Sequence, residues 1–190
     1  MAAPPDASDT ALSGSVRTGD HAAFTELYER HAEAVWNFAY RLTGSWSEAD
    51  DLLSAVFLTA WRRRRDIRLV RDSALPWLFV VTSNVCRSER RRLARLFRAL
   101  PRLLSGEVPD HAEQVADRDA ATERLARVLA AVERLPRSER EAVRLCLLGG
   151  TSTDDAAQML GISVHGVRSR LHRARTRLQQ ILTEDSDVRP

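Results

Sequence analysis

The chain contains no lysine; all 29 of its Lys and Arg positions are arginine. Cysteine is nearly absent as well. Cys86 and Cys146 each sit inside an apolar helical pattern, with no second ligand-type residue beside them. A disulfide framework and a zinc centre are therefore not expected, and the default compartment is a reducing cytoplasm. No run of about 18 apolar residues occurs, so no membrane-spanning helix is expected. The opening MAAPPDASDTALSG lacks a basic start and an apolar stretch, which excludes a secretion signal. Aromatic residues number eleven, all between Phe24 and Phe97. No segment alternates with period two over strand length, which argues against a sheet.

What remains is a chain of 190 residues with a net charge of only +3, from 29 basic and 26 acidic side chains. Its hydrophobic fraction of 44% is too high for a disordered chain and suits packed helices. The length fits one large or two small domains. Arginine in place of lysine favours phosphate and guanine, because a planar fork makes two parallel hydrogen bonds. Since every aromatic lies in the first half, the two halves must work differently.

Residues 1–20 hold small and polar residues without periodicity and read as a disordered tail. From Phe24 the residues Leu27, Tyr28, His31, Val35, Phe38, Ala39 and Leu42 recur at steps of three and four, one face of a helix stopped by Gly44. Ser47, with Asp50 three positions on, is the expected cap of a second helix, whose buried face holds Ala49, Leu52, Leu53, Val56, Phe57, Ala60 and Trp61. The strongly basic stretch Arg62–Asp72 reads as helix fraying into loop. A third helix starts near Pro76 and ends in a segment, 87–102, with seven arginines and one acid, Glu89. Residues 101–119 carry Pro, Gly and an acidic run, and read as a linker. The expected organisation is an all-α chain of two domains, 21–100 and 120–183, with a second tail at 184–190.

The second domain reads as four helices. One carries Leu125, Val128, Leu129, Val132 and Leu135 before Pro136; the next opens on a capping box of Ser138 and Glu141 and ends at Gly149-Gly150. The last two, residues 152–178, follow helix-turn-helix grammar: Ser152 and Asp155 start a short helix, Gly161 turns it, and Ser163 caps a second that runs to about Leu182. At 100° per residue, Val164, Val167, Leu171, Ala174 and Leu178 share one side of that helix. His165, Ser169, His172, Arg173 and Thr176 lie opposite. Arg168 and Arg175 line one flank, and Arg170 and Arg177 the other. A cationic rod with polar tips suits a major groove between two phosphate walls, with flank arginines on phosphates and outward residues on base edges. His165 and His172, seven residues apart and without a Cys or carboxylate partner, make a poor metal site, and no metal or cofactor is expected.

In the first half, Phe24, Phe38, Phe57 and Trp61 fall at core positions, whereas Trp46 and Trp77 are better placed to act on a ligand. Arginines beside rings suit single-stranded nucleic acid, where cations hold the backbone and rings stack on bases. Four segments, taken in order, resemble the extracytoplasmic-function sigma factors of bacterial RNA polymerase: FTELYERHAEAVWNFAYRLTGSWSEADDLLSAVFLTAW, LPWLFVVTSNVCRSERRR, LPRSEREAVRLCLLGG and GISVHGVRSRLHRARTRL. The resemblance covers residues 24 to about 180. It implies a first domain that binds the polymerase clamp and opens the promoter −10 element, and a second that reads the −35 element.

Carried over by position, Asp50, Asp51, Leu52, Ser54 and Phe57 match the clamp-facing helix. Arg68, Arg71, Asp72, Ser73, Trp77 and Asn84 match the part that captures −10 bases. His165, Gly166, Arg168, Ser169, His172, Arg173 and Arg175 match the −35 recognition helix. Ser54 stands where the family often has Gln, and His165-Gly166 where it has a small residue and Thr. The implied partners are core RNA polymerase, at its clamp and flap, and promoter DNA, duplex and melted; an anti-sigma factor is a further candidate. No nucleophile–base pair or phosphate-cradling loop is visible, so an enzyme is not expected. The competing reading is a stand-alone helix-turn-helix regulator, which would have no use for the acidic helix and the Arg-aromatic loop.

Overall fold

A computed structural model of the protein describes residues 8–103 and 120–187. Most of the expected linker, 104–119, lies outside the described residues, as do 1–7 and 188–190. The described residues are helical, without a strand: α1 Asp9–Thr18, α2 His21–Thr43, α3 Trp46–Arg62, a 3-10 turn Arg64–Asp66, α4 Leu75–Leu103, α5 Ala120–Arg134, α6 Arg137–Val143, α7 Thr153–Leu160 and α8 Val164–Asp187. Helix α6 runs on as one widened π-turn, Arg144–Leu148.

Of the stripe expected on α2, Leu27, His31, Val35, Phe38, Ala39 and Leu42 face inward, while Phe24 is half-buried and Tyr28 is exposed. Asp20 begins the helix, its carboxylate accepting from the Ala22 and Ala23 N–H groups at 2.9 and 3.2 Å, so α2 starts three residues before Phe24. Helix α3 packs Ala49, Leu52, Val56, Phe57 and Ala60 onto α2 and α4. Its cap is Ser45, not Ser47: the Ser45 hydroxyl accepts from Glu48 N–H at 3.4 Å, which brings Trp46 and Ser47 inside the helix. Nor does Ser138 cap α6. Pro136 precedes the first turn without a side-chain cap, and Glu141 instead pairs with Arg137 at 2.8 Å. Helix α8 extends through Asp187, past the expected end at Leu182 and into the expected 184–190 tail.

The largest departure is at the amino end. Residues 9–18, read as tail, form α1, capped by Ser8 and closed by Gly19 in the left-handed region. Leu12 and Val16 are fully buried against α2, an i, i+4 pair too small to register as a periodicity. Asp9 is buried too. Its Oδ2 accepts from the Ala74 N–H at 2.7 Å and lies 2.6 Å from His31 Nε2, while its Oδ1 accepts from Arg30 at 3.0 Å. One core cluster runs from Leu12 and Phe38 through Trp77 and Leu78 to Leu145, Ala156 and Val167, so α1–α4 and α5–α8 pack as one body. A smaller cluster of Val132, Leu135, Val143 and Ala174 holds α5, α6 and α8 together.

Burial pushes the Asp9 carboxyl up, but the bonds from His31, Ala74 and Arg30 outweigh it and bring it down to about 2 from 3.8. The ionised form therefore stabilises the fold above pH 3.8, and that stability is lost as pH falls toward 2. The span corresponds to about 2 kcal/mol. Urea unfolding followed between pH 5 and pH 2 should show this loss in the unaltered chain and a flatter profile in Asp9→Asn.

Candidate nucleic-acid interface

The helix-turn-helix is built by its caps. The Ser152 hydroxyl accepts from Asp155 N–H at 3.1 Å to open α7, Gly161 closes it at φ 66°, and the Ser163 hydroxyl accepts from Gly166 N–H at 3.0 Å to open α8. A side chain at φ 66° would be strained, which is why glycine stands at the turn. Val167 and Ala174 are fully buried, with Val164, Leu171 and Leu178 packed beside them, so the apolar side of α8 faces inward as expected. His165, Arg168, His172, Arg175 and Thr176 are exposed, and Gly166 and Ser169 are half-buried.

Arg173 departs from the expected outward role. Its Nη1 donates to the Ser169 hydroxyl at 2.8 Å, and its Nε lies 3.5 Å from Oε1 of Glu139. Arg177 takes the other oxygen of Glu139 at 3.3 Å. Glu139 is buried on α6, and a buried carboxylate draws cations to itself. Arg173 thus belongs to the flank of Arg177, whereas Arg168 and Arg175 take no part in these bonds.

A groove of about 560 Å³ lies between the 3-10 turn, α4 and α7. Arg63, Arg65, Asp66 and Arg68 line it together with Trp77, Val80, Val81 and Asn84 of α4 and Met159 of α7, and Arg63 is paired with Asp66 at 3.1 Å. Arg68, Trp77 and Asn84, expected together from sequence, do meet here. Arg71, Asp72 and Ser73 lie in the adjoining turn, where Arg71 pairs with Asp155 of α7 at 2.9 Å. Trp77 is only 5% exposed: its indole packs into the core instead of standing free for stacking. Asn84 is exposed, its Oδ1 accepting from Arg87 at 2.6 Å. Arg63 and Arg65 were not singled out from sequence; their only signal was membership of the run Arg62–Arg65.

On α3 the helical period separates the expected polymerase-facing set. Asp50, Asp51 and Ser54 are exposed, but Leu52 and Phe57 face the core. Phe57 meets Tyr28 edge-on at 4.7 Å and Phe24 at 6.2 Å, so both Leu52 and Phe57 serve packing. Leu58, missed in sequence, is 51% exposed and continues the Asp51–Ser54 face at i+7, the spacing that could have found it. Trp36 donates to Asp50 at 2.6 Å and stacks with Tyr40, and both lie close to Trp46, which is 68% exposed.

The two helical groups meet around charge. Arg144, in the π-turn and 3% exposed, binds Glu133 of α5 and donates to the Ser83 carbonyl of α4 at 3.2 Å. Glu133 also receives Arg90 of α4 at 2.9 Å, and Arg90 donates in turn to the Leu42 carbonyl at 2.7 Å.

Sigma-70 region 2 matches residues 27–96, and Sigma-70 region 4 matches residues 125–178. The ECF RNA polymerase sigma factor SigM of Mycobacterium tuberculosis is 37% identical over 177 residues, covering 92% of this chain and 85% of SigM. The chain belongs to the ECF sigma factors. The chain spans 66% of the length of the ECF RNA polymerase sigma factor SigE of Mycolicibacterium smegmatis, with 32% identity over 179 residues and 89% of this chain covered. Among solved structures, CnrH of Cupriavidus metallidurans in complex with the cytosolic domain of CnrY is 29% identical, with a TM-score of 0.58 over 93% of this chain and 98% of that one. The helix-turn-helix falls within the matched region 4 of this ECF sigma factor, and α4, with its preceding loop, falls within region 2 as far as residue 96; α1 precedes both. No helix among the described residues is long and apolar enough to cross a membrane.

The junction gives a direct test. A Cβ on Gly149 would lie 2.7 Å from the Leu145 carbonyl oxygen and 3.0 Å from the Phe79 ring. Gly149→Ala should cost about 1–3 kcal/mol, as over-packing does, and loosen the contact between α4 and the π-turn. Limited proteolysis should then cut the variant faster than the unaltered sigma factor.

Proposed function

We propose that this ECF sigma factor, which directs RNA polymerase to promoters, divides its work among three surfaces. The exposed α3 face of Asp50, Asp51, Ser54 and Leu58 meets the polymerase clamp. The arginine-edged groove with Asn84 receives melted −10 bases, and α8 reads the −35 duplex. The observation that carries this reading is the placement, in one chain, of a basic groove at the start of α4 and a capped cationic helix beyond it, both within the matched regions. Residues 21–100 and 120–183 are the respective working units, and 101–119 connects them. The flap of the polymerase is the proposed contact of the second unit. A stand-alone regulator would need α8 but not the acidic α3 face, so the polymerase reading is favoured.

Within α8 the division of labour follows from the bonds. Arg168 and Arg175 are exposed and hold phosphates, while His165, His172 and Ser169 approach base edges, with Gly166 allowing close approach. Arg173 reaches a base only by giving up Glu139. In the first unit, Arg63, Arg65 and Arg68 hold the strand's phosphates, and Asn84 hydrogen-bonds a base in the groove. The buried Trp77 forms its floor, with Arg71, Asp72 and Ser73 at its edge; Leu52 and Phe57 support the clamp face from beneath. Because Met159 of α7 lines the groove and Asp155 holds the adjoining turn through Arg71, a strand enters once α7 has moved aside. The sigma factor carries out no chemistry of its own and acts in the cytoplasm. CnrH was solved with the cytosolic domain of CnrY, and an anti-sigma factor is a proposed partner here as well.

Three measurements test this assignment. Asp51→Arg combined with Leu58→Asp should weaken co-purification with core polymerase while leaving the circular-dichroism melt unchanged; normal assembly would move the clamp surface elsewhere. Asn84→Ala should leave assembly intact and reduce permanganate reactivity of the −10 region, since holding one base is worth about 1–3 kcal/mol. Arg175→Ala should weaken holoenzyme binding to all −35 variants alike and lower the salt slope by about one; a changed base preference would rotate the helix from this assignment.

A further inference from the structure

The segment that enters α4 alongside the groove is held in a conformation its own residues disfavour. Arg71 and Asp72 both lie in the left-handed region, at φ 48° and 58°. Val70 and Ser73 exchange their N–H···O bonds across them at 2.9 and 3.1 Å. Two successive positive-φ residues between paired neighbours make the tight hairpin turn that Asn-Gly fits best. Neither residue here is glycine, and such strain persists only where the surroundings over-determine it.

Asp155 of α7 holds Arg71 at 2.9 Å, and α1 supplies three further bonds. Arg17 donates to the Ile67 carbonyl at 2.5 Å, Thr10 donates to the Asp72 carboxylate at 2.9 Å, and Asp9 accepts from the Ala74 N–H at 2.7 Å. These three bonds grip the segment at its start, its turn and its end. Asp9 is itself fixed by His31 and Arg30 of α2. Packing of α1 is already supplied by Leu12 and Val16, and a buried carboxylate is a costly way to add more. The carboxylate has a directional use: it ties the last residue before α4 to the α2 scaffold.

We propose that α1 is a brace for the −10 loop, with Asp9 as its positioning residue: the Asp9–Ala74, Thr10–Asp72 and Arg17–Ile67 bonds hold residues 67–74 in the register that presents Arg68, beside Asn84 of α4, to a melted strand. This rests on the assignment of the −10 groove made above. The brace is separate from the polymerase face on α3 and from α8, so its loss should affect one step only.

The experiment uses holoenzyme formed with the full chain and a fork-junction probe bearing a single-stranded −10 segment. Asp9→Asn should assemble with core polymerase and keep its −35 preference, yet bind the probe roughly tenfold more weakly, the scale of one lost charge-assisted bond at a buried site. Thr10→Val, on an exposed pair that cannot threaten the fold, should lose a few-fold in the same direction. Replacing Arg71-Asp72 by Asn-Gly makes a turn that holds itself. Against that turn alone, Asp9→Asn should then cost little, a rescue that a purely packing role for α1 would not give. Unchanged probe binding in Asp9→Asn, with loss in Asn84→Ala, overturns the brace and leaves the groove assignment standing. Unchanged binding in both variants overturns the groove assignment and the brace with it. Loss of core binding together with probe binding, with Thr10→Val unaffected, also overturns the brace, because α1 then serves the fold as a whole.

Discussion

A buried guanidinium governs how this molecule is put together. The guanidinium of Arg144 is almost fully removed from water. Desolvating such a group costs several kcal/mol unless a counter-charge and further acceptors meet it. Glu133 and the Ser83 carbonyl do so, and Arg90 joins the same carboxylate from α4. Apolar burial alone would let α5–α8 slide over α2–α4, since it has no direction. The Arg144–Glu133–Arg90 cluster has direction, and it fixes the register of the two groups.

That register carries through to the surfaces proposed to meet nucleic acid. With the π-turn seated on α4, Gly149 comes against Phe79, and α7 stands over the groove with Met159 and Asp155. The groove that suits a single strand and the helix that suits a duplex are therefore coupled in this arrangement through the short helix between them. A π-turn at the coupling point is consistent with its role: such widened turns re-aim a side chain within an otherwise regular helix and are often found at functional positions.

Arginine serves three purposes at once. Arg144 and Arg90 are structural, where a planar fork can satisfy several oxygens from one buried position. Arg63, Arg65 and Arg68 rim a groove, and Arg168 and Arg175 stand free on α8. Arg173 lies between the two uses, on the recognition helix yet drawn to Glu139. The basic residues of a lysine-free chain are thus sorted only by their partners: Arg144 and Arg90 share the half-buried Glu133, Arg173 and Arg177 share the buried Glu139, and Arg168 and Arg175 reach neither.

The sequence by itself determined the local order. The all-helical character, the buried stripe of α2, the Gly161 turn, the Ser152 and Ser163 caps and the apolar side of α8 depend on neighbours within about four residues, which a linear reading sees. The order of region 2 and region 4 was likewise legible, because each has its own pattern. Tertiary structure alone decided the rest. Helix α1 looked like tail because its stabilising partners, Ile67, Asp72 and Ala74, stand some 50 to 65 positions away. Leu52 and Phe57 were legible as buried from their spacing and became contact candidates only through the resemblance, whereas Trp77 looked like a contact residue until packing buried it, and Arg173 looked free until α6 brought Glu139 within reach. Burial and long-range pairing depend on which distant surfaces meet, and no local spacing records that.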